Sequence, residues 1–204
     1  EIGVIRTQEL LAARRIDGGE QFFTRMIDFG FSKTAKETME KWGRDNILRD
    51  VVWVIRKYRP DVIIRRFSGT PDDGHGHHQT SALIADEAFV AAADPTKFPE
   101  QLKFVEVWQA KRLVWNSFGS MRQIEVDPAS QPDKVAMDVG EFDPYLGYGY
   151  GEIAGWSRSQ HKSQAMGAAE RKGAQVNFFS FIKGEPMKKD LWEGIDTTWN
   201  RVAG

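Results

Sequence analysis

The chain has no cysteine among its 204 residues. That absence excludes disulfides, thiolate zinc sites, iron–sulfur clusters and cysteine nucleophiles together. Uncharged runs are short, none near the ~20 residues a membrane-spanning helix needs. Charge of one sign is missing too. Lysine and arginine number 28 against 29 aspartates and glutamates, a formal net charge of -1, which argues against a nucleic-acid partner recruited by bulk charge. Histidine is scarce at four residues, yet three of them, His75, His77 and His78, fall within a span of four. The rest is ordinary for a folded protein: 41% hydrophobic and 28% charged residues, in a chain long enough for one domain with a real core.

Local patterns predict an α/β chain. Residues 3–16 read as a helix with Val4, Ile5, Leu10, Leu11 and Ile16 on an apolar side, stopped by Gly18-Gly19. Residues 20–26 suggest a short strand before the turn-prone Asp28-Phe29-Gly30. Thr34 followed by Glu37 has the form of a capping box opening a helix that breaks near Gly43. Ile47, Leu48, Val51, Val52, Ile55 and Tyr58 keep the 3–4 spacing of a buried stripe, and Pro60 ends that helix. A β-branched strand follows at 61–64, then a polar loop over 68–78 and a helix over 79–93 stopped by Pro95. Helix, strand, loop and helix in this order make an α/β unit with a parallel strand. Strands are also expected at 111–116, 121–126 and 175–182, a loose glycine-rich stretch at 143–155 and a helix at 158–171.

The histidines lie in Asp72-Asp73-Gly74-His75-Gly76-His77-His78, after a predicted strand and at the start of a predicted helix. Ligands of open α/β sheets bind beyond the carboxyl ends of the strands, and a helix N-terminus disfavours imidazolium. His75 and His78, three apart, can point into one cleft, and imidazole with carboxylate suits zinc or another first-row divalent ion. The bland alternative is three solvated loop histidines. The cluster alone supplies part of a metal shell, so at least one further ligand is needed.

These residues resemble a known family. Arg59-Pro-Asp-Val-Ile-Ile, Gly74-His75-x-x-His78 and the helix running into Glu87-Ala88-Phe89 look like the second motif of the LmbE-like/PIG-L zinc-dependent N-deacetylases. The Arg6-x-x-Glu9-Leu10-x-x-Ala13 helix, the Asp28-x-Gly30 turn and Ser157-Arg158-Ser159-x-His161-Lys162-Ser163-Gln164 are similar to that family at the expected distances. The resemblance implies a Rossmann-like, mainly parallel sheet flanked by helices and a hydrolase that removes acetyl groups from N-acetylated amino sugars or their glycosides. It implies zinc as the Lewis acid, His78 as a metal ligand and His75 as the group that stabilises the oxyanion or donates a proton. Arg6 and Asp28 match sugar-holding positions, and His161 lies in a stretch that approaches the catalytic site. On this reading residues 1–204 are one deacetylase-like domain, with 173–204 the start of a C-terminal extension. The longer bacterial members it resembles are often exported.

Departures from the pattern are as informative. The family's first motif, His-Pro-Asp-Asp, supplies two ligands and the general base and should precede Arg6, where five residues stand. Thr70-Pro71-Asp72-Asp73 is no substitute, having threonine in place of the ligand histidine. The expectation is therefore an N-terminally incomplete domain, inactive as it stands. His77 takes the place of an aspartate in many members, Gly76 that of a proline, and Asp73 that of a catalytic tyrosine in some. A non-catalytic carbohydrate-binding or scaffolding module on the same fold is the alternative. A different metal-dependent hydrolase would need carboxylate ligands that the spacing does not reveal. Gly147-Tyr148-Gly149-Tyr150-Gly151 lacks the spacing of a dinucleotide loop and reads as a turn or substrate-side loop. Tyr148 and Trp156 are candidates for stacking on a sugar. Arg65-Arg66 and Lys188-Lys189 read as solvated faces.

Overall fold

The structure is a computed structural model that describes residues 1–117, 134–198 and 200. It divides into two compact units, Glu1–Phe23 with Met137–Asn177, and Thr24–Ala136 with Phe178–Gly204.

The second unit holds a mixed sheet flanked by helices. Helix α2 (Ala35–Trp42) starts as its sequence suggests, with Thr34 Oγ1 accepting from Glu37 N–H at 3.2 Å. The Glu37 carboxylate, however, reaches back to Lys33 N–H at 3.1 Å rather than to the capping residue itself. Gly43, at φ 75°, ends α2 and opens α3 (Arg44–Tyr58). Arg59 closes α3 in the left-handed region because Pro60 denies it the helical one. Strand β1 (Val62–Arg65) follows, then helix α4 (Gly76–Ala91) and strand β2 (Arg112–Ser117), which pairs parallel with β1. This is the predicted strand–helix–strand unit. Strand β3 is Lys134–Asp138 and β6 is Val176–Gly184; the sheet order is β1-β2-β6-β3, with β6 antiparallel to β2. The sheet is thus mixed, with β1 and β2 parallel and β6 antiparallel, and not the mainly parallel one expected.

The stripe on α3 is buried from Ile47 to Ile55, whereas Tyr58 at its end is exposed. Ile47, Leu48, Val52 and Ile55 pack on Ile84, Ala88, Ala91 and Ala92, and small residues on α4 let the two helices approach closely. Phe89, on another side of α4, packs with Ala110 and Leu113 beneath the sheet.

The first unit contains helix α1 (Ile2–Asp17), the hairpin strands β4 (Phe142–Asp143) and β5 (Tyr148–Gly149), and helix α5 (Tyr150–Arg158). Gly18 stops α1 in the left-handed conformation, as predicted. Ala13 is the buried residue of α1, and Val4 and Ile5 are exposed instead of forming the expected buried side.

Three expectations need correction. Residues 20–26 form no strand, since Arg25 is drawn onto Asp50, its backbone N–H donating at 2.8 Å and its guanidinium pairing with the carboxylate. The helix expected over 158–171 ends at Arg158, and α5 instead occupies the stretch read as loose. Gly155 lets the backbone of Ala169 and Glu170 fold back flush against α5, which a continuing helix would prevent. Arg65 and Arg66 are not a solvated pair: Arg65 bonds to Asp86 at 2.9 Å and Arg66 to the Asn116 side chain. The strand expected over 121–126 lies outside the described residues. Among the described residues no helix is long and apolar enough to cross a membrane.

Candidate functional site

The loop between β1 and α4 leaves the carboxyl end of a parallel strand and folds around one side chain. Both oxygens of Asp73 turn inward, accepting from Ser68 N–H and Oγ–H at 2.9 Å each and from Gly69 N–H at 2.7 Å. Residues Pro71–Asp73 make a 3-10 turn capped by Thr70, and Gly74 exits it at φ 70°. The Asp73 carboxylate is therefore engaged by the loop's own donors.

Helix α4 begins three residues earlier than its sequence suggested, so His77 and His78 sit in its first turn. His75 is its N-cap: the Nδ1 atom accepts from the His77 backbone N–H at 3.1 Å. An Nδ1 that accepts carries no proton, so the neutral ring bears its hydrogen on Nε2. His78 is the converse. Its Nδ1 lies 3.1 Å from the Asp73 carbonyl oxygen, which can only accept, so Nδ1 carries the hydrogen and Nε2 keeps a lone pair. One backbone loop thus sets two neighbouring imidazoles, 5.2 Å apart between centroids, in opposite tautomers.

Aromatic rings fix the three imidazoles. His78 lies flat on Phe67 at 3.9 Å, and Phe31 meets His75 edge-on at 4.9 Å. His77 stacks on Trp42 at 4.5 Å with Phe29 edge-on at 4.6 Å. Phe67 stands in the loop itself, whereas Phe29, Phe31 and Trp42 come from segments distant in sequence, so the residues around the histidines give no sign of them. His75 is oriented by the backbone N–H of residue 77 on its Nδ1 and by the rings of Phe31 and His77, 4.9 and 4.6 Å away. The glycine at position 76 is explained as well. Its N–H donates to Ser32 O at 2.7 Å, a bond proline cannot make.

His77 Nε2 is buried without a hydrogen-bond partner among the described residues. Burial, and next the His75 imidazole, hold its pKa below the ordinary 6.5, with Asp28 pulling weakly the other way. Because the unfolded chain then takes up the proton first, the stability His77 contributes is present above pH ~6.5 and lost as pH falls below it. Urea unfolding should show a midpoint that drops between roughly pH 7.5 and 5.5, and His77→Phe should flatten that drop. An unchanged slope in the variant would contradict this.

The remaining predicted site residues divide between the units. Asp28 belongs to the second, where its Oδ1 accepts from Gly30 N–H at 2.8 Å. Arg6 and His161 belong to the first. There Ser163 donates to Glu9 from Oγ and from its backbone, both at 2.7 Å. With smaller pulls from His161 and Arg6, these bonds hold the Glu9 carboxyl below its usual range. His161 is half-buried, and its Nδ1 has no partner among the described residues.

His78 has the free nitrogen expected of a metal ligand. Among the described residues, however, no three histidine, aspartate or glutamate side chains gather as a metal shell would require. These residues do not by themselves fit the zinc that the family resemblance implies. Comparison with known proteins gives no match to a protein family and none to a curated protein.

Proposed function

We propose that this chain carries part of a metal-dependent hydrolase that removes acetyl groups from N-acetylated amino sugars or their glycosides. The observation supporting this reading is the tautomer pair: a donor Nε2–H on His75 beside a lone-pair Nε2 on His78. Hydrolysis of an acetamide needs a hydrogen-bond donor where the carbonyl oxygen becomes negative. The Nε2–H of His75 is such a donor, held by the helix cap and needing no reorganisation as charge develops. A single preorganised donor contributes about 10²–10³ in rate. Of the two roles the family resemblance allows His75, the structure favours this one. Its Nδ1 is already engaged, so loss of the Nε2 proton would leave an unfavourable imidazolate. The lone pair of His78 suits it to be one ligand of zinc or a similar divalent ion, the others coming from outside the described set. Arg6 and Asp28 are the proposed sugar contacts, and His161 is given no step.

The test uses a polypeptide in which a His-Pro-Asp-Asp segment stands ahead of residue 1. Zinc content and acetate release from an N-acetylglucosaminide are both measured. His78→Ala should lose the metal, whereas His75→Ala should keep it and lose about 10²–10³ in rate. The opposite pattern would exchange the two roles and overturn the reading. The 204-residue chain alone should release no acetate. No release from any form, with sugar binding retained, would favour the alternative of a non-catalytic carbohydrate-binding or scaffolding module.

A further inference from the structure

We propose that the free side of β1 is a self-pairing edge, on which a second copy of this chain adds its own β1 antiparallel about a two-fold axis at Ile63. The pairing uses no residue of the histidine cluster, so it stands or falls independently of the hydrolase reading.

Strand β1 ends the sheet order β1-β2-β6-β3, so one of its sides has no neighbouring strand. The register fixes which backbone groups lie there. Val62 pairs with Arg112 and Ile63 with Leu113, and the Asp61 carbonyl accepts from Lys111 and Arg112 N–H at 2.8 and 3.3 Å. Asp61, Ile63 and Arg65 therefore turn their backbone groups toward β2, while Val62 and Ile64 turn theirs outward. Among the described residues no backbone bond outside the β1–β2 ladder reaches Val62 or Ile64. Residues 62–64 are all β-branched, the composition of a parallel strand covered by its neighbours, yet Ile64 is 47% exposed. The usual devices that blunt a free edge are missing as well. Val62–Arg65 contain no proline or lysine, and β1 runs beside β2 without a bulge.

This edge is complementary to itself. A two-fold axis at Ile63 sets Val62 opposite the partner's Ile64 in a hydrogen-bonded pair, and Ile63 opposite the partner's Ile63 in a non-hydrogen-bonded one. It also sets Asp61 opposite the partner's Arg65, and the reverse, so unlike charges meet at both ends. Charge and proline hold this register. Slipping one way would set Pro60, which has no N–H, opposite the partner's Ile64; slipping the other way would set Arg65 opposite the partner's Ile63. Arg65 can serve two carboxylates. Asp86 takes its Nη1 at 2.9 Å, and its Nε has no hydrogen-bond partner among the described residues. Two-fold pairing of one patch with itself is the commonest form of soluble assembly, and here it joins two four-stranded sheets into one.

The chain has no cysteine, so single substitutions report the pairing directly. Light scattering over a concentration series should show the 204-residue chain passing from monomer to dimer. Under copper-catalysed oxidation in air, Ile63→Cys should give a disulfide-linked dimer, because Cβ atoms come closest in a non-hydrogen-bonded pair. Ile64→Cys, at the more exposed position, should not link. Asp61→Lys, which sets like charges opposite each other, should weaken dimerisation at least about tenfold. Should Ile63→Cys fail to fold, Asp61→Lys carries the decision. A monomer at every concentration, a folded Ile63→Cys that links no better than Ile64→Cys, or undiminished dimerisation of Asp61→Lys would each overturn the proposal.

Discussion

Arg56→Met should lower the unfolding free energy by about 3–5 kcal/mol, among the largest losses available to a single substitution in this chain. Arg56 is 1% exposed, yet among the described residues no carboxylate forms an ion pair with it, although the charges of Asp94 and Glu100 favour it. Its donors are satisfied by a cage of oxygens, four of which, Ala91 O, Ala92 O, Asp94 O and Phe98 O, also accept a backbone N–H. Nε donates to Ala92 O at 3.1 Å and Nη1 to Phe98 O at 3.3 Å and Gln101 Oε1 at 3.0 Å. Nη2 donates to Ala91 O, Asp94 O and Lys97 O at 3.3, 2.8 and 2.9 Å. Several of these carbonyls belong to the end of α4 and its exit loop, where the helix dipole is negative and a cation is favoured. Burial pulls the guanidinium pKa below its ordinary value, but the carbonyl cage keeps it worth burying. Methionine would fill the space but remove all six hydrogen bonds, leaving Lys97 O and Gln101 Oε1 without their donor at a cost of about 1–3 kcal/mol each and the other carbonyls with a backbone N–H alone. Lysine, with fewer donors and no planar fork, should recover only part of the loss. Urea unfolding of the three proteins measures the effect, and a difference under about 1 kcal/mol for Arg56→Met would contradict it.

Gly76→Ala should cost about 2–3 kcal/mol and also disturb the site. A Cβ there would run into Ser32 Oγ and the Thr34 carbonyl. Neither can give way easily. Ser32 is fully buried and accepts from Thr38 Oγ1 at 2.8 Å, and Thr34 caps α2. The start of α4 must therefore move outward, weakening the 2.7 Å bond from Gly76 N–H to Ser32 O and carrying His75 and His77 with it. Unfolding should show the lost stability, and the imidazole resonances of His75 and His77 should shift more than that of His78. A variant of unchanged stability with unmoved histidines would contradict the close packing.

Much of this fold was legible where a residue acts on its own neighbourhood. Gly18, Thr34, Gly43 and Pro60 each end or begin an element by local chemistry, and the α3 stripe lies inward from Ile47 to Ile55 as its spacing implies. The start of α4 was misread because glycine is a poor helix former and histidine an uncommon cap, so His75 gave no boundary signal. The stretch after Arg158 was misread because its composition suits a helix while its conformation answers to Gly155, a contact across α5. In the site, the loop position and the closeness of His75 and His78 could be read from spacing. Their tautomers could not, because these depend on which backbone group each Nδ1 meets. Arg56 was equally hidden: a helical arginine normally faces water, and only the folded carbonyl cage distinguishes it.

The opposed tautomers of His75 and His78 carry the functional account, and long-range proton–nitrogen NMR of the histidine side chains reads them directly. In the 204-residue chain near neutral pH, His78 should carry its proton on Nδ1 and His75 on Nε2. The same tautomer at both residues would contradict the division of roles proposed for them.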